Sequence, residues 1–158
     1  MSCINLAYKD MMSAGRFYLN INKETFIKGY LKILKKNKFQ NPRTIIQSSL
    51  QLCGKNNTIG NNNKFVTRYG LCQKLVNMTF KYLYVFRDYT DLEDLAFSKC
   101  DCPLDSFILN KIKYTDQVWS KLDESEYEEC QQLVDDELKA LNQSNSHIGR
   151  LLFDFQNW

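Results

Sequence analysis

The chain has 158 residues, of which 44% are hydrophobic and 13% aromatic. This composition excludes an intrinsically disordered protein and predicts a single domain, residues 1–158, with a sizeable core. Only two prolines and six glycines interrupt the sequence, which favours long helices over a many-turned β-sandwich.

The charge of the chain is divided between a basic half and an acidic half. Residues 1–87 contain 15 lysines and arginines against two acids, and residues 88–158 contain six against 16. The two balances, +13 and −10, sum to the net charge of +3. Two interpretations remain open: the halves pack together and neutralise each other, or the basic half faces a polyanion such as nucleic acid or a phosphorylated ligand.

No membrane, metal or cofactor chemistry is predicted. No apolar run approaches the length of a membrane span, and the start MSCINLAYKDMM lacks the features of a signal peptide, so we expect a cytoplasmic protein. The six scattered cysteines are expected to be free and mostly buried thiols. Only Cys100 and Cys102 are close in sequence, and the single histidine, His147, is distant from them.

Three helices are predicted in the first third of the chain. The first covers residues 3–18. The second is NKETFIKGYLKILKKN, with Asn22 as its cap, and the third begins with Asn41 as cap and Pro42 at the first helical position. The predicted core positions of the first two helices are Ile4, Met11, Met12, Phe17, Phe26, Ile27, Tyr30, Leu31 and Leu34. The exposed face of the second helix is expected to carry Lys28, Lys32, Lys35 and Lys36.

A break and a central helix follow. Residues 54–63 are rich in glycine and asparagine and predict a flexible loop, either a plain connection or a binding loop. The stretch from about 66 to 86 predicts a fourth helix that is apolar over most of its surface, as a central helix should be.

The acidic half predicts further helices. Cys102 and Pro103 are expected to start one of them, with Leu104, Phe107, Ile108 and Ile112 directed inward. Asp123 and Glu126 form the pattern of a capping box for the next. The last places Ile148, Leu151, Leu152 and Phe155 on one stripe. No alternating strand pattern persists, so the predicted fold is all-α, a bundle of six to eight helices.

Lys74 and Asp105 are the candidate catalytic residues. An amine drawn into an apolar site loses its proton readily and can attack an electrophilic carbon to form a Schiff base. Such an amine needs a carboxylate to move protons or to stabilise positive charge developing on a sugar. The alternatives are a solvated lysine stripe formed by Lys74 and Lys81, and an Asp105 that only satisfies backbone donors in the first turn of its helix.

The stretch GLCQKLVNMTFKYL resembles the hairpin of helix-hairpin-helix DNA glycosylases, a glycine-x-glycine-x-lysine motif that leads into an apolar helix. PLDSFIL is similar to their proline-hydrophobic-Asp-[Ser/Thr] motif. The spacing of 31 residues between Lys74 and Asp105 is similar to that of the archaeal 8-oxoguanine branch. The resemblance covers residues 66–112. Here Cys72 stands in place of the second glycine, and FVTRYG in place of the usual apolar-proline-glycine lead-in.

The resemblance implies an all-helical enzyme that flips a base out of duplex DNA, with Lys74 as nucleophile and Asp105 as general acid and base. Two interpretations of Gln73 and Asn77, which lie one turn apart on the same helix face, remain open: they read a base edge, or they bind a neighbouring loop. Tyr69 and Trp119 are likewise either stacking platforms or core aromatics. The expected phosphate contacts are Lys64, Arg68, Lys81 and Arg87.

Three functions are therefore carried forward. The first is a glycosylase-like protein that binds or excises a nucleobase in nucleic acid. The second is a non-catalytic binder of an anionic, nucleotide-like ligand, which a fainter similarity of QKLVNMTFKYLY and CDCPLDSFIL to small bacterial and phage proteins leaves open. The third is a protein-interaction module whose contact surface is the acidic helix, residues 123–142.

Overall fold

The computed structural model describes residues 2–13, 21–59, 62–66, 68–89, 97–143 and 145–157. Over these ranges the chain forms seven α-helices and one β-hairpin, which confirms the predicted all-α bundle. The helices are α1 (Ser2–Met12), α2 (Lys23–Lys36), α3 (Pro42–Cys53), α4 (Tyr69–Val85), α5 (Ser106–Lys111), α6 (Glu124–Ala140) and α7 (Leu151–Gln156). The strands are β1 (Lys55–Ile59) and β2 (Asn62–Val66), and short 3-10 turns cover Arg87–Tyr89, Phe97–Lys99 and Trp119–Lys121.

Local capping signals fix most helix starts as predicted. The Asn22 side chain accepts a hydrogen bond from the Thr25 N–H at 2.9 Å. Asn41 caps α3, in which Pro42 is the first residue. Asp123 and the side chain of Glu126 complete the predicted capping box at α6. α1 ends earlier than predicted, and Phe17, expected in its core face, lies outside the described residues.

The segment 54–63, predicted as a loop, instead contributes most of a β-hairpin. β1 pairs with β2 in antiparallel register, from Lys55 opposite Val66 to Ile59 opposite Asn62. The sequence predicts no strand there because its asparagine-rich stretch lacks the alternation of apolar and polar residues that identifies a strand. A Gly-Asn dipeptide between two short runs is, however, a recognised signal for a two-residue hairpin connection.

Helix α4 forms the centre of the bundle. Fourteen of its 17 residues are buried, including its polar side chains, so the predicted central position is confirmed. One hydrophobic cluster draws residues from all seven helices around it. Among the described helices, none is both long and apolar enough to cross a lipid bilayer.

The two oppositely charged halves are joined by buried ion pairs. Asp101 is 2% exposed and accepts hydrogen bonds from Arg43 Nε at 2.9 Å, Arg150 Nη1 at 2.5 Å and the Tyr127 hydroxyl at 2.8 Å. Arg43 also pairs with Glu128 on α6. The basic α3 therefore packs against acidic groups of the second half, as the neutralisation interpretation expects.

We expect Asp101→Asn to be strongly destabilising, by about 3–5 kcal/mol, because it leaves two arginines without their shared buried carboxylate. The measurement is the free energy of unfolding in urea. Asp136→Asn, which alters an exposed carboxylate bonded to Lys139 and Gln132 of the same helix, serves as the control and should leave stability nearly unchanged. Equal effects of the two substitutions would contradict this role for Asp101.

Candidate functional site

The candidate site is positioned by residues 102–104, a buried stretch of non-helical backbone that leads into Asp105. Gln73 of α4 accepts the Leu104 N–H at 3.1 Å through Oε1 and donates to the Leu104 carbonyl at 2.9 Å through Nε2. Gln131 of α6 holds Cys102 in the same way, with bonds of 3.0 and 2.7 Å. Two amide side chains thus replace the backbone partners that a sheet would supply.

Asn77 reinforces this arrangement. Its Nδ2 lies 3.3 Å from the Cys102 carbonyl and 3.0 Å from the Tyr127 hydroxyl, and the side chain is fully buried. Gln73 and Asn77 therefore hold the protein's own backbone, which is the alternative to reading a base edge. Their hydrogen bonds are made to Cys102, Leu104, Tyr127 and each other.

Asp105 follows directly after this segment and acts as the N-cap of α5. Its Oδ1 accepts the Ile108 N–H at 2.9 Å, and its Oδ2 accepts a hydrogen bond from Lys74 Nζ at 2.9 Å. The helix therefore starts at Ser106 rather than at Cys102 and Pro103, because the capping Asp105 has extended φ and ψ and residues 102–104 are not helical. The structure brings Lys74 and Asp105 into direct contact, and Lys74 is 6% exposed rather than part of a solvated stripe.

The electrostatic environment keeps Asp105 ionised. Burial alone would raise the pKa of this carboxyl, but the Lys74 ammonium and the Ile108 N–H outweigh burial, so the pKa lies below its ordinary value. One carboxylate oxygen caps α5, and the other accepts the hydrogen bond from Lys74. Asp105 is therefore an anion held in a fixed orientation.

Lys74 and Asp105 line a cleft of about 350 Å³, a size within the range of small-ligand sites. The walls come from α1, α4, the start of α5, the turn at Trp119 and α7. The lining residues besides the pair are Asp10, Ser13, Met78, Lys81, Tyr82, Ser106, Phe107, Trp119 and Asp154. Phe107 was predicted to point inward but is 52% exposed. Together with Trp119 it supplies aromatic surface at the cleft.

A second ion pair lies in the same cleft. Lys81 Nζ is 2.5 Å from Asp154 Oδ2, and both residues are buried. Burial raises the pKa of Asp154, and the nearby Lys81 ammonium only partly opposes that effect. Lys81, named from sequence as a phosphate contact, is 1% exposed and lies seven residues, about two helical turns, from Lys74 on the same inward face of α4. The alternative of a solvated stripe formed by Lys74 and Lys81 is therefore wrong.

The remaining predicted site residues are dispersed. Trp119 lines the cleft, whereas the buried Tyr69 packs its ring 5.3 Å from that of Tyr127 and lines a different cavity. Arg68 is half-buried before α4, and the Arg87 guanidinium stacks 4.4 Å from the Tyr84 ring centroid. The side chain of Lys64 lies outside the described part of the chain.

Two acidic residues of the cleft, Asp154 and Asp10, were not identified from the sequence. Asp154 lies 49 residues beyond Asp105, and Asp10 belongs to α1, where it accepts a 2.6 Å hydrogen bond from the Tyr82 hydroxyl. A single carboxylate inside the apolar stripe LLFDF was the one local signal for Asp154. Nothing local distinguishes Asp10 from an exposed acid.

The N-terminus of α4 is covered by the chain itself. The Gly70 N–H donates to the Leu122 carbonyl at 3.0 Å. A Cβ at Gly70 would lie 2.1 Å from the Trp119 carbonyl oxygen, so glycine is required for this close approach. α3 and α4 are joined through the β-hairpin rather than through a tight turn. Gly70 therefore serves the packing of Trp119 beside the cleft.

Comparison of the chain with protein-family models, with curated proteins and with solved structures finds no match. The geometry of the cleft is therefore the basis for proposing a function.

We expect the pKa of Asp105, measured by NMR titration of its carboxyl carbon, to lie below the usual value of about 3.9. In Lys74→Gln it should rise, because the burial of the carboxyl is then opposed only by the backbone N–H groups. Lys113→Gln, which removes an exposed lysine elsewhere, should leave it unchanged.

The same shift predicts a pH dependence of stability. Because the folded-state pKa is depressed, the ionised Asp105 stabilises the fold above its unfolded pKa, and this contribution disappears as the pH falls through the folded value. Asp105→Asn should therefore destabilise the protein at neutral pH and have little effect in strong acid. A difference from wild type that grows on acidification would contradict the assignment.

Proposed function

We propose that the cleft accepts a nucleobase-bearing residue of a nucleic acid and that Lys74 and Asp105 cleave its N-glycosidic bond. The observation that supports this proposal is the 2.9 Å contact between Lys74 Nζ and Asp105 Oδ2 on the wall of a cleft with room for a ring. An amine and a carboxylate so placed are the two groups that such a reaction needs.

The proposed reaction starts with an unprotonated Lys74. Asp105 takes the lysine proton when a bound ring excludes water from the pair, because loss of water disfavours both charges. Nζ then attacks C1′ of the sugar, and the C1′–N bond breaks with its electron pair leaving on the base. Asp105 passes the proton that it took to the departing base and so is a carboxylate again as the C1′–N bond stretches, and O4′ takes one of the two protons left on Nζ as the sugar ring opens. The product is a protonated C1′=N imine on Lys74 and a free base.

Asp105 has a second role in this scheme. Positive charge develops on the sugar as the C1′–N bond stretches, and a fixed carboxylate nearby stabilises it. The lowered pKa of Asp105 fits this role, since the group is an anion over the whole physiological range. Its bond to the Ile108 N–H fixes the orientation of the carboxylate, so no reorganisation is needed during the reaction.

The rest of the cleft suits a planar, polar ligand. Met78 lies on α4 between Lys74 and Lys81, and Phe107 and Trp119 supply aromatic surface. At the far end, Lys81 and Asp154 place a donor beside an acceptor, the complement of a base edge that presents a carbonyl next to an N–H. The Tyr82 hydroxyl is already bonded to Asp10 and extends this polar end.

Borohydride trapping tests the proposal, because it reduces an imine to a stable amine. The probes are duplex oligonucleotides with one abasic site or one 8-oxoguanine. Wild type should form a covalent adduct, Lys74→Gln none, and Lys113→Gln the same amount as wild type. Asp105→Asn, which retains a cap for α5, should form it about 10²–10⁴ times more slowly.

Two outcomes would overturn the enzymatic proposal. An adduct that persists in Lys74→Gln would place the chemistry on another amine. The absence of any adduct, together with a thermal shift by free nucleotides that Lys74→Gln abolishes, would identify the cleft as a non-catalytic binding site.

A further inference from the structure

Helix α2 carries a row of lysines that the fold does not neutralise. Its core face consists of Phe26, Ile27, Tyr30 and Leu34, all buried. The opposite face exposes Lys28, Lys32, Lys35 and Lys36, at successive intervals of four, three and one residues. We call these four residues the α2 lysine face. The only acidic residue of α2 is Glu24, in its first turn.

Some basic residues of the first half lie beside a carboxylate and others do not. Arg43, Lys74 and Lys81 each pair with a carboxylate of the acidic half. Within the described residues, by contrast, no carboxylate lies within ion-pair distance of any lysine of the α2 lysine face. Part of the excess positive charge of residues 1–87 is thus exposed on α2.

We propose that the α2 lysine face binds the phosphate backbone of a nucleic-acid duplex. Eight residues separate Lys28 from Lys36, so the face is about 12 Å long. A duplex strand presents one phosphate about every 3.4 Å along its axis, which places about three or four phosphates opposite this length. The lysines bind as point charges, so the contact is independent of sequence.

A lipid surface fits this face less well. Helices that bind anionic membranes insert an apolar face next to their lysines. In α2 that apolar face is buried in the core, and no large hydrophobic residue of this helix is exposed. The α2 lysine face therefore provides positive charge without an apolar surface. A rigid polyanion such as a nucleic-acid duplex is complementary to it.

The α2 lysine face and the cleft share a structural support. Tyr8 of α1 packs its ring 5.2 Å from that of Phe26 on the core side of α2. Asp10 of the same helix and the adjoining Ser13 line the cleft. α1 thus connects the two features. The inference relies on the proposed function only in the choice of nucleic acid as partner.

The test compares two triple variants that each remove three positive charges. Lys28→Gln/Lys32→Gln/Lys35→Gln alters the α2 lysine face, and Lys99→Gln/Lys113→Gln/Lys139→Gln alters exposed lysines elsewhere. The probe is an undamaged fluorescent duplex, and its affinity is measured by anisotropy between about 50 and 200 mM salt.

The α2 variant should bind at least about tenfold more weakly at about 0.1 M salt, and its plot of log affinity against log salt should be flatter by about 2.7, since each phosphate contact contributes about 0.9. The control triple should remain close to wild type. Equal losses in both variants, or binding of wild type to phosphatidylserine vesicles but not to the duplex, would overturn the proposal.

Lys74→Gln separates this inference from the enzymatic proposal. The variant should bind the undamaged duplex as wild type does while failing to form an adduct. A normal adduct with an unchanged salt slope in the α2 variant would refute the α2 lysine face alone. A flatter slope without any adduct in wild type would refute only the enzymatic proposal.

Discussion

The buried backbone of residues 102–105 must find hydrogen-bond partners inside the protein, and much of the structure follows from that requirement. The segment belongs to neither described strand, so side chains take the place of sheet partners for its N–H and C=O groups. Gln73 binds both groups of Leu104, and Gln131 binds both groups of Cys102. These hydrogen bonds to Cys102 and Leu104 place the next residue, Asp105, at the cleft.

The same segment connects the core to the charge distribution. Asp101 directly precedes Cys102 and forms ion pairs with both Arg43 and Arg150. Its buried carboxylate thereby joins the basic half to the acidic half. Glu124 and Glu128 of α6 bond to Gln47 and Arg43. Part of the acidic surface of α6 is therefore engaged within the chain, which weakens the case for that helix as a free contact surface.

In the functions proposed above, the cleft would recognise a base and the α2 lysine face would recognise phosphate groups. Both lysines of the cleft are paired with carboxylates, so the cleft is polar but nearly neutral and suits a ring rather than a phosphate group. The α2 lysines are exposed and lack such partners among the described residues. Phosphate binding on α2 and base binding in the cleft would place backbone affinity and chemistry on separate surfaces, joined through α1.

Sequence by itself determined the all-α class, the caps Asn22, Asn41 and Asp123, and the burial of α4, because these depend on residues a few positions apart. It also indicated Lys74 and Asp105 as partners, through motifs with a characteristic spacing. Only the tertiary structure showed that Gln73 and Asn77 hold backbone, that Lys81 pairs with Asp154, and that Phe107 is exposed. Those outcomes depend on which helices pack against each other. That packing is determined by contacts between residues far apart in the chain, which local sequence patterns do not report.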